Sequence, residues 1–255
     1  MQDIAIKITS LNKDFPTGGF FKKSSIRAVD NLNLAINSGE IFGLLGPNGA
    51  GKTTTLNMIV GFFTPTSGEI ELFGQRVTPK NIEIRSKIGY LAESPFLPEY
   101  LSVNELLNFY ARIFGLADNI RKERIEMLLE SLGLRDIGAQ RIKTLSIGQR
   151  RSVSLAGALI NDPTILILDE PTVYLDPIIL EKVRSIVLKL KQNNKTILIS
   201  SHILSEVEKL CDRIAIIHRG HLARTANREE FKTAGSLDDI FLSSINPVRN
   251  GRTAL

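Results

Sequence analysis

The 255-residue sequence has one cysteine, no tryptophan and no long hydrophobic run. A single cysteine, Cys211, excludes an internal disulfide framework and fits a reducing compartment. The richest apolar stretch, TILIL at 164–168, stops far short of the roughly 18–20 residues that a membrane-spanning helix needs. The start, MQDIAIKITS, lacks the basic and apolar regions of a signal peptide. We therefore expect a soluble protein that does not cross a membrane by itself.

Clustered charge and repetition are also lacking. The formal net charge of +5 permits an anionic partner, but lysines and arginines are spread along the chain and no nucleic-acid motif accompanies them. Neither an internal repeat nor a sustained heptad pattern is present. We therefore expect an ordinary globular protein without a nucleic-acid partner, and charge does not decide its function.

Short apolar segments with two different patterns alternate with helical ones. IAIKI (4–8) and LNLAI (32–36) alternate with period two and predict strands with one buried face, while residues 16–27 between them predict a surface insertion. Continuous apolar runs predict strands buried on both faces; they are IFGLL (41–45), TILIL and TILIS (196–200). Residues 93–161 carry helical spacing. Strands alternating with helices predict an α/β core with a parallel sheet.

A glycine-rich stretch directly follows the run at 41–45. Residues 46–53, GPNGAGKT, match G-x-x-x-x-G-K-[ST], with a buried strand before the motif and a helix to about Phe62 after it. The glycines let backbone N–H groups point at phosphates, and the helix N-terminus adds a favourable dipole. Lys52 should reach the β- and γ-phosphates, and Thr53 should ligate Mg²⁺. The predicted ATP contacts are Gly46, Pro47, Asn48, Gly49, Ala50, Gly51, Lys52, Thr53 and Thr54.

Two acids end the buried strand at 165–168. Buried carboxylates are costly unless they are paired or bound to a metal, so their position needs a reason. We expect Asp169 to hold the Mg²⁺ shell and Glu170 to polarise the attacking water as general base. The alternative, a strand that ends in solvated acids, is weakened by the phosphate-binding motif upstream.

From about residue 4 to about 225 the sequence resembles the ATP-binding cassette (ABC) ATPases. Leu145-Ser-Ile-Gly-Gln149 is similar to the signature LSGGQ, which in that family binds the γ-phosphate of ATP held by the opposite subunit. The resemblance implies that Ser146, Gly148 and Gln149 contact nucleotide. It also implies a head-to-tail homodimer with two ATP molecules at a two-fold interface.

The same resemblance implies roles for three further residues. His202 looks like the switch histidine that contacts the γ-phosphate, and Asp176 corresponds to the D-loop aspartate at the dimer contact. Phe15 lies where the family has an aromatic residue that stacks on adenine, although an apolar residue near a strand end is more often part of a core.

The sequence departs from the family pattern at three positions. Glu93 replaces a glutamine that binds Mg²⁺ and senses the membrane partner; because a carboxylate is a good Mg²⁺ ligand, the role is expected to survive. Ile147 replaces the first glycine of the signature, and Tyr174 replaces a usual D-loop glycine. These changes remove no reacting group, but they leave the dimer geometry and turnover rate open.

The predicted architecture is a RecA-like P-loop NTPase core with an antiparallel β layer and an inserted helical subdomain. One cassette is expected over residues 1–235, with the helical subdomain at about 93–161 and a C-terminal tail at 236–255. The expected partner is an integral membrane permease that docks near residues 93–100, which would place the chain on the cytoplasmic face of the membrane. ATP and Mg²⁺ are the expected cofactors.

The expected subclass of ABC ATPase depends on shorter sequence matches. IGYLAE and SLDDIFL resemble the drug- and sodium-efflux exporter ATPases, and an importer ATPase is the alternative. A DNA-repair type would carry long coiled-coil arms, but only about ninety residues separate the phosphate-binding motif from the signature. A translation-factor type would need two cassettes. A regulatory module without turnover is disfavoured by Glu170 and His202.

Overall fold

A computed structural model describes residues 3–17, 24–78, 80–173, 175, 177–233 and 237–245. The strands are β1 (Ile4–Thr17), β2 (Ser24–Asn37), β3 (Ile41–Leu45), β4 (Ser67–Leu72), β5 (Gln75–Arg76), β6 (Ile88–Leu91), β7 (Ile165–Asp169), β8 (Thr196–Ser201), β9 (Arg213–His218) and β10 (His221–Asn227). The α-helices are α1 (Lys52–Ile59), α2 (Ile82–Ser86), α3 (Val103–Ile113), α4 (Asp118–Leu132), α5 (Ile147–Leu159), α6 (Pro177–Gln192), α7 (Leu204–Leu210), α8 (Arg228–Thr233) and α9 (Leu237–Ile245). Short 3₁₀ turns lie at Arg135–Ile137 and Ile142–Thr144.

The larger sheet has the strand order β10-β9-β3-β8-β7-β6, and only its edge strand β10 is antiparallel to its neighbour. Its central strands are buried on both faces, as their continuous apolar runs predict. In β7, Leu166 and Leu168 pack into one hydrophobic cluster with the helices, while Ile165 and Ile167 pack into the other. The predicted parallel core is therefore confirmed.

The smaller sheet is antiparallel, with the order β2-β1-β4-β5. It covers the face of the larger sheet that also holds α1. The predicted surface insertion at 16–27 is wrong at both ends, because Pro16 and Thr17 pair with Ser25 and Ser24 in a β1–β2 ladder. Cross-strand pairing extends the two strands beyond their alternating apolar segments. Residues 18–23 lie outside the described residues.

Helices α3, α4 and α5 form the predicted insertion between β6 and β7. Two of them begin with a serine capping box, in which the N-cap hydroxyl and a side chain three residues later satisfy the free N–H groups. In α3 the pair is Ser102 with Glu105, and in α5 it is Ser146 with Gln149. The second box fixes the first residues of the signature as a helix N-terminus.

The C-terminal part contains a helix that the sequence analysis assigned to the tail. Helix α9 buries Leu237 and Ile240 against the core and contacts α7, α8, β9 and β10. Its two apolar residues lie three positions apart, which is the spacing of one helix face. The boundary at residue 235 stays a prediction, while 246–255 lie outside the described residues. Within the described residues, no helix has the length and apolar character needed to cross a membrane.

Candidate functional site

Four predicted site segments meet at the carboxyl edge of the larger sheet. The phosphate-binding motif follows β3 and His202 follows β8. Asp169 ends β7 with Glu170 directly after it, and Glu93 follows β6. Because β3, β8, β7 and β6 are consecutive parallel neighbours, their carboxyl ends place these residues side by side. Ligands of α/β sheets bind at this edge.

The glycine-rich turn after β3 leaves no room for side chains at two positions. A Cβ on Gly46 would lie 2.3 Å from the carbonyl oxygen of Ile217. A Cβ on Gly51 would lie 2.5 Å from the carbonyl oxygen of Ala28, and Gly51 has a φ of +106°. Only glycine fits such a backbone without strain. The turn leads directly into α1, whose first residue is Lys52.

Lys52 and Glu170 form a buried ion pair at the centre of the site. The Lys52 Nζ lies 3.4 Å from Glu170 Oε1 and donates a 2.7 Å hydrogen bond to the Gly46 carbonyl. The other carboxylate oxygen, Oε2, lies 2.9 Å from His202 Nδ1. Glu170 has a positive φ of 49°, and its amide donates to the Ser200 carbonyl and hydroxyl oxygens. The structure thus joins three predicted catalytic side chains in one network.

Asp169 has one satisfied and one unsatisfied carboxylate oxygen. The Ser200 hydroxyl donates to Oδ1, while the fully buried Oδ2 has no hydrogen-bond partner among the described residues. An unpaired buried carboxylate oxygen calls for a cation or a bound water. Mg²⁺ typically uses one or two carboxylates, with phosphates and waters completing its shell. Asp169 fits that requirement as a carboxylate ligand, and Thr53, in the lining of the phosphate cavity, offers a hydroxyl.

A cavity of about 460 Å³ lies beside the phosphate-binding turn. Its lining consists of Ala28, Asn48, Gly49, Ala50, Gly51, Lys52, Thr53, Thr54, Glu93 and Glu170. The structure therefore brings Glu93 to the same cavity as the phosphate-binding residues. No group of three or more histidine, cysteine, aspartate or glutamate residues arranged for a metal was found within the described ranges.

The signature residues do not line this cavity. Ser146 and Ile147 are exposed, with Ile147 exposed to 67%. Ser146 Oγ accepts the Gln149 amide at 3.2 Å, and the Gln149 side chain accepts the Ser146 amide at 2.9 Å. A helix N-terminus with accessible groups is suited to an anion that arrives from outside this chain.

One predicted contact, Phe15, lies apart from the phosphate cavity. Phe15 is half-buried, and its ring packs edge-to-face against Phe63 at 5.5 Å, with Lys13 Nζ 5.1 Å from its centroid. It does not line the phosphate cavity, so adenine stacking stays a prediction. Asp176 and Tyr174 lie outside the described residues.

Sequence reasoning missed two residues that organise the site. Ser200 bridges Asp169 and Glu170 from the neighbouring strand β8. Arg151, in α5, donates to the backbone carbonyls of Glu93 and Glu170. A serine in a buried strand next to the acidic strand is a weak signal for the first. An arginine on the buried face of the helix is a signal for the second.

Comparisons with known proteins agree with this geometry. The family model described as ABC transporter matches residues 29–173. The bacitracin transport ATP-binding protein BcrA of Bacillus licheniformis is 41% identical over 85% of this chain and 68% of that protein. The Nod factor export ATP-binding protein I of Cupriavidus metallidurans is 37% identical over 89% of this chain and 76% of that protein.

Among solved structures, a dimeric post-hydrolysis state of the ATP-binding cassette MJ0796 bound to ADP and Pi aligns with a TM-score of 0.81. It is 27% identical over 88% of this chain and 98% of that chain. The matched family covers the phosphate-binding turn, the signature helix and the acidic strand. The P-loop NTPase fold is confirmed. The chain belongs to the ABC transporter family as an ATP-binding, ATP-hydrolysing subunit.

Proposed function

We propose that this chain powers export through a separate integral membrane permease, from the cytoplasmic face of the membrane. The motor role is carried by the network of Lys52, Glu170 and His202, since Lys52 and Glu170 also line the cavity beside the phosphate-binding turn. The direction of transport is supported by the relative named as a Nod factor exporter. An importer ATPase is the alternative, and no feature of the described residues favours it.

In the proposed mechanism, Lys52 leaves Glu170 and pairs with the β- and γ-phosphates, which carry more negative charge than a single carboxylate. Glu170 then accepts a proton from the attacking water. His202, whose Nδ1 lies 2.9 Å from Glu170 Oε2, would orient this carboxylate and contact the γ-phosphate. Thr53, Asp169 and Glu93 would hold Mg²⁺, which supplies charge neutralisation at the phosphates when bound.

The proposed active form is a head-to-tail homodimer. Ser146, Gly148 and Gln149 lie away from the cavity of their own chain, so their phosphate contacts require a second chain. A dimeric cassette among the structural neighbours supports this arrangement. Asp176 would lie at the same interface. No nucleic acid is expected to take part.

The proposed permease contact is the groove between β6 and α3. Its lining includes Tyr90, Leu97, Ile113 and Phe114, and the rim residue Phe96 is exposed to 89%. An apolar groove with exposed aromatic residues is a typical protein-binding surface. It adjoins Glu93, so a bound partner lies next to the phosphate cavity.

Two assays test this function. Purified chain should release phosphate from Mg·ATP, and tagged chain should copurify from detergent-solubilised membranes with a multi-span membrane protein. Phe96→Ser should weaken that copurification, while the control Ile120→Ser, also at an exposed apolar side chain but outside the groove, should not. Equal recovery with both variants would refute the groove assignment. ATP hydrolysis without any membrane partner would refute the transport role.

A further inference from the structure

Arg151 is a buried cation that the ATPase mechanism above does not use. It lies in α5, the helix that begins at the signature, and is only 6% exposed. Burial lowers the pKa of its guanidinium, although nearby Asp169, Glu93 and Glu170 oppose this effect. Burying a guanidinium is costly unless its N–H donors are satisfied, so the hydrogen bonds of Arg151 must offset that cost.

The two arms of the guanidinium bind two different segments. Nη1 donates to the carbonyl oxygens of Ala92, at 3.1 Å, and Glu93. Nη2 donates to the carbonyl oxygens of Asp169, at 2.8 Å, and Glu170. The guanidinium thus joins the backbone that follows β6 to the backbone at the end of β7. Nε has no partner among the described residues.

We propose that Arg151 is a positioning residue that sets Glu170 relative to the Glu93 segment and the signature helix. This inference rests on the proposed role of Glu170 as general base. Arg151 does not line the phosphate cavity, and its hydrogen bonds within the described part of the chain go to backbone carbonyls, so it acts through the turns that carry the reacting groups. A displacement of the groove-side segment would therefore move the base.

The helix geometry adds a third connection. Ser146 is the N-cap of α5, and Arg151 follows it by five residues, about 7.5 Å along the helix axis. In the proposed dimer, Ser146 contacts the nucleotide of the second chain, while Arg151 holds the base of its own chain. One rigid helix therefore joins the two nucleotide sites.

The first test separates positioning from substrate binding. Because a misplacement of about 1 Å costs roughly 10²-fold in rate, Arg151→Gln should lower kcat by about 10- to 100-fold and change the KM for ATP by less than about threefold. The matched control is Arg121→Gln, which removes a guanidinium of similar burial (7% exposed) that binds Asp118 and Asn108. The control should keep its kcat.

The second test measures the hydrogen exchange of backbone amides. Hydrogen exchange in the full chain without nucleotide should speed up in peptides covering 88–97 and 165–173 of Arg151→Gln. In Arg121→Gln these two peptides should exchange as in the wild type. Faster exchange throughout the variant, with no excess in the two peptides, would identify Arg151 as a general stabilising residue and overturn the proposal.

Arg151→Lys keeps the charge but lacks the planar fork. We expect it to hold one segment at most, with a lowered kcat and faster exchange in at least one peptide. If Arg151→Gln does not fold, the same two measurements on Arg151→Lys test the proposal. Full activity of the lysine variant, or a kcat of the glutamine variant equal to that of the Arg121 control, would overturn the proposal. If Glu170 is not the general base, Glu170→Gln retains turnover. That result distinguishes a failure of the proposed function from a failure of the Arg151 proposal.

Discussion

The buried pair of Lys52 and Glu170 makes a specific prediction for Glu170→Gln. At 3.4 Å and an effective dielectric constant of about 20, the attraction is about 5 kcal/mol before the cost of removing both charges from water. Desolvation offsets most of it, and Lys52 keeps the Gly46 carbonyl as a partner. We therefore expect the free energy of unfolding without nucleotide to fall by about 1–3 kcal/mol.

For a domain of this size, that loss lowers Tm by about 2–10 °C. Bound ATP reverses the effect, because phosphate replaces Glu170 as the partner of Lys52 and the variant has no carboxylate to repel it. The Tm increase caused by Mg·ATP should therefore be larger in Glu170→Gln than in the wild type. Turnover should fall by about 10²–10⁴, the usual contribution of a general base, and the trapped ATP should produce a dimer in size-exclusion chromatography.

Calorimetric melting with and without Mg·ATP, together with phosphate release, measures these effects. The matched control is Glu206→Gln, since Glu206 is also buried (8% exposed) and paired, with Arg184, but lies outside the phosphate cavity. It should lower Tm equally with and without ATP and keep turnover. An unchanged ATP-induced Tm increase in Glu170→Gln would refute the pairing argument. Turnover within tenfold of wild type would refute the general base.

Three further predictions concern single residues. Lys52→Ala should abolish tight Mg·ATP binding in calorimetric titration, since the charge on the phosphates is lost; unchanged affinity would contradict the phosphate-loop assignment. Glu93→Gln should keep ATPase activity but need more Mg²⁺ for half-maximal rate, and identical half-saturation points would end the metal-ligand hypothesis. Burial raises the pKa of the Cys211 thiol, so a thiol-specific disulfide reagent at pH 8 should label it only as fast as the protein unfolds, whereas prompt labelling of native protein would contradict that burial.

Local sequence patterns were sufficient to predict much of the site. The phosphate-binding motif needs particular residue types at fixed spacing, because Gly46 and Gly51 admit no side chain and Lys52 must begin the helix. The continuous apolar run before Asp169 located the acids at a strand end. The sequence predicted a parallel sheet but not its strand order, and it is the order β3-β8-β7-β6 that brings the motifs together at one edge.

Contacts between distant segments were not predictable in the same way. Strand β2 begins at Ser24 because it pairs with β1, although its first residues lack apolar alternation. Helix α9 is held by the packing of Leu237 and Ile240, which short helical spacing alone does not reveal. Arg151 binds carbonyl oxygens, which every residue carries, so its partners leave no trace in the sequence.

The capping box at Ser146 restricts which residues could replace this serine. Its hydroxyl oxygen accepts a hydrogen bond from the Gln149 backbone N–H, which leaves the hydroxyl proton available for a phosphate of the second chain in the proposed dimer. Aspartate would cap the helix equally well, but it offers no proton at neutral pH and repels an anion. Alanine would lose both interactions. A hydroxyl can therefore start the helix with its oxygen and, in the proposed dimer, donate its proton to the nucleotide, so replacing this serine would affect helix formation and ligand binding together.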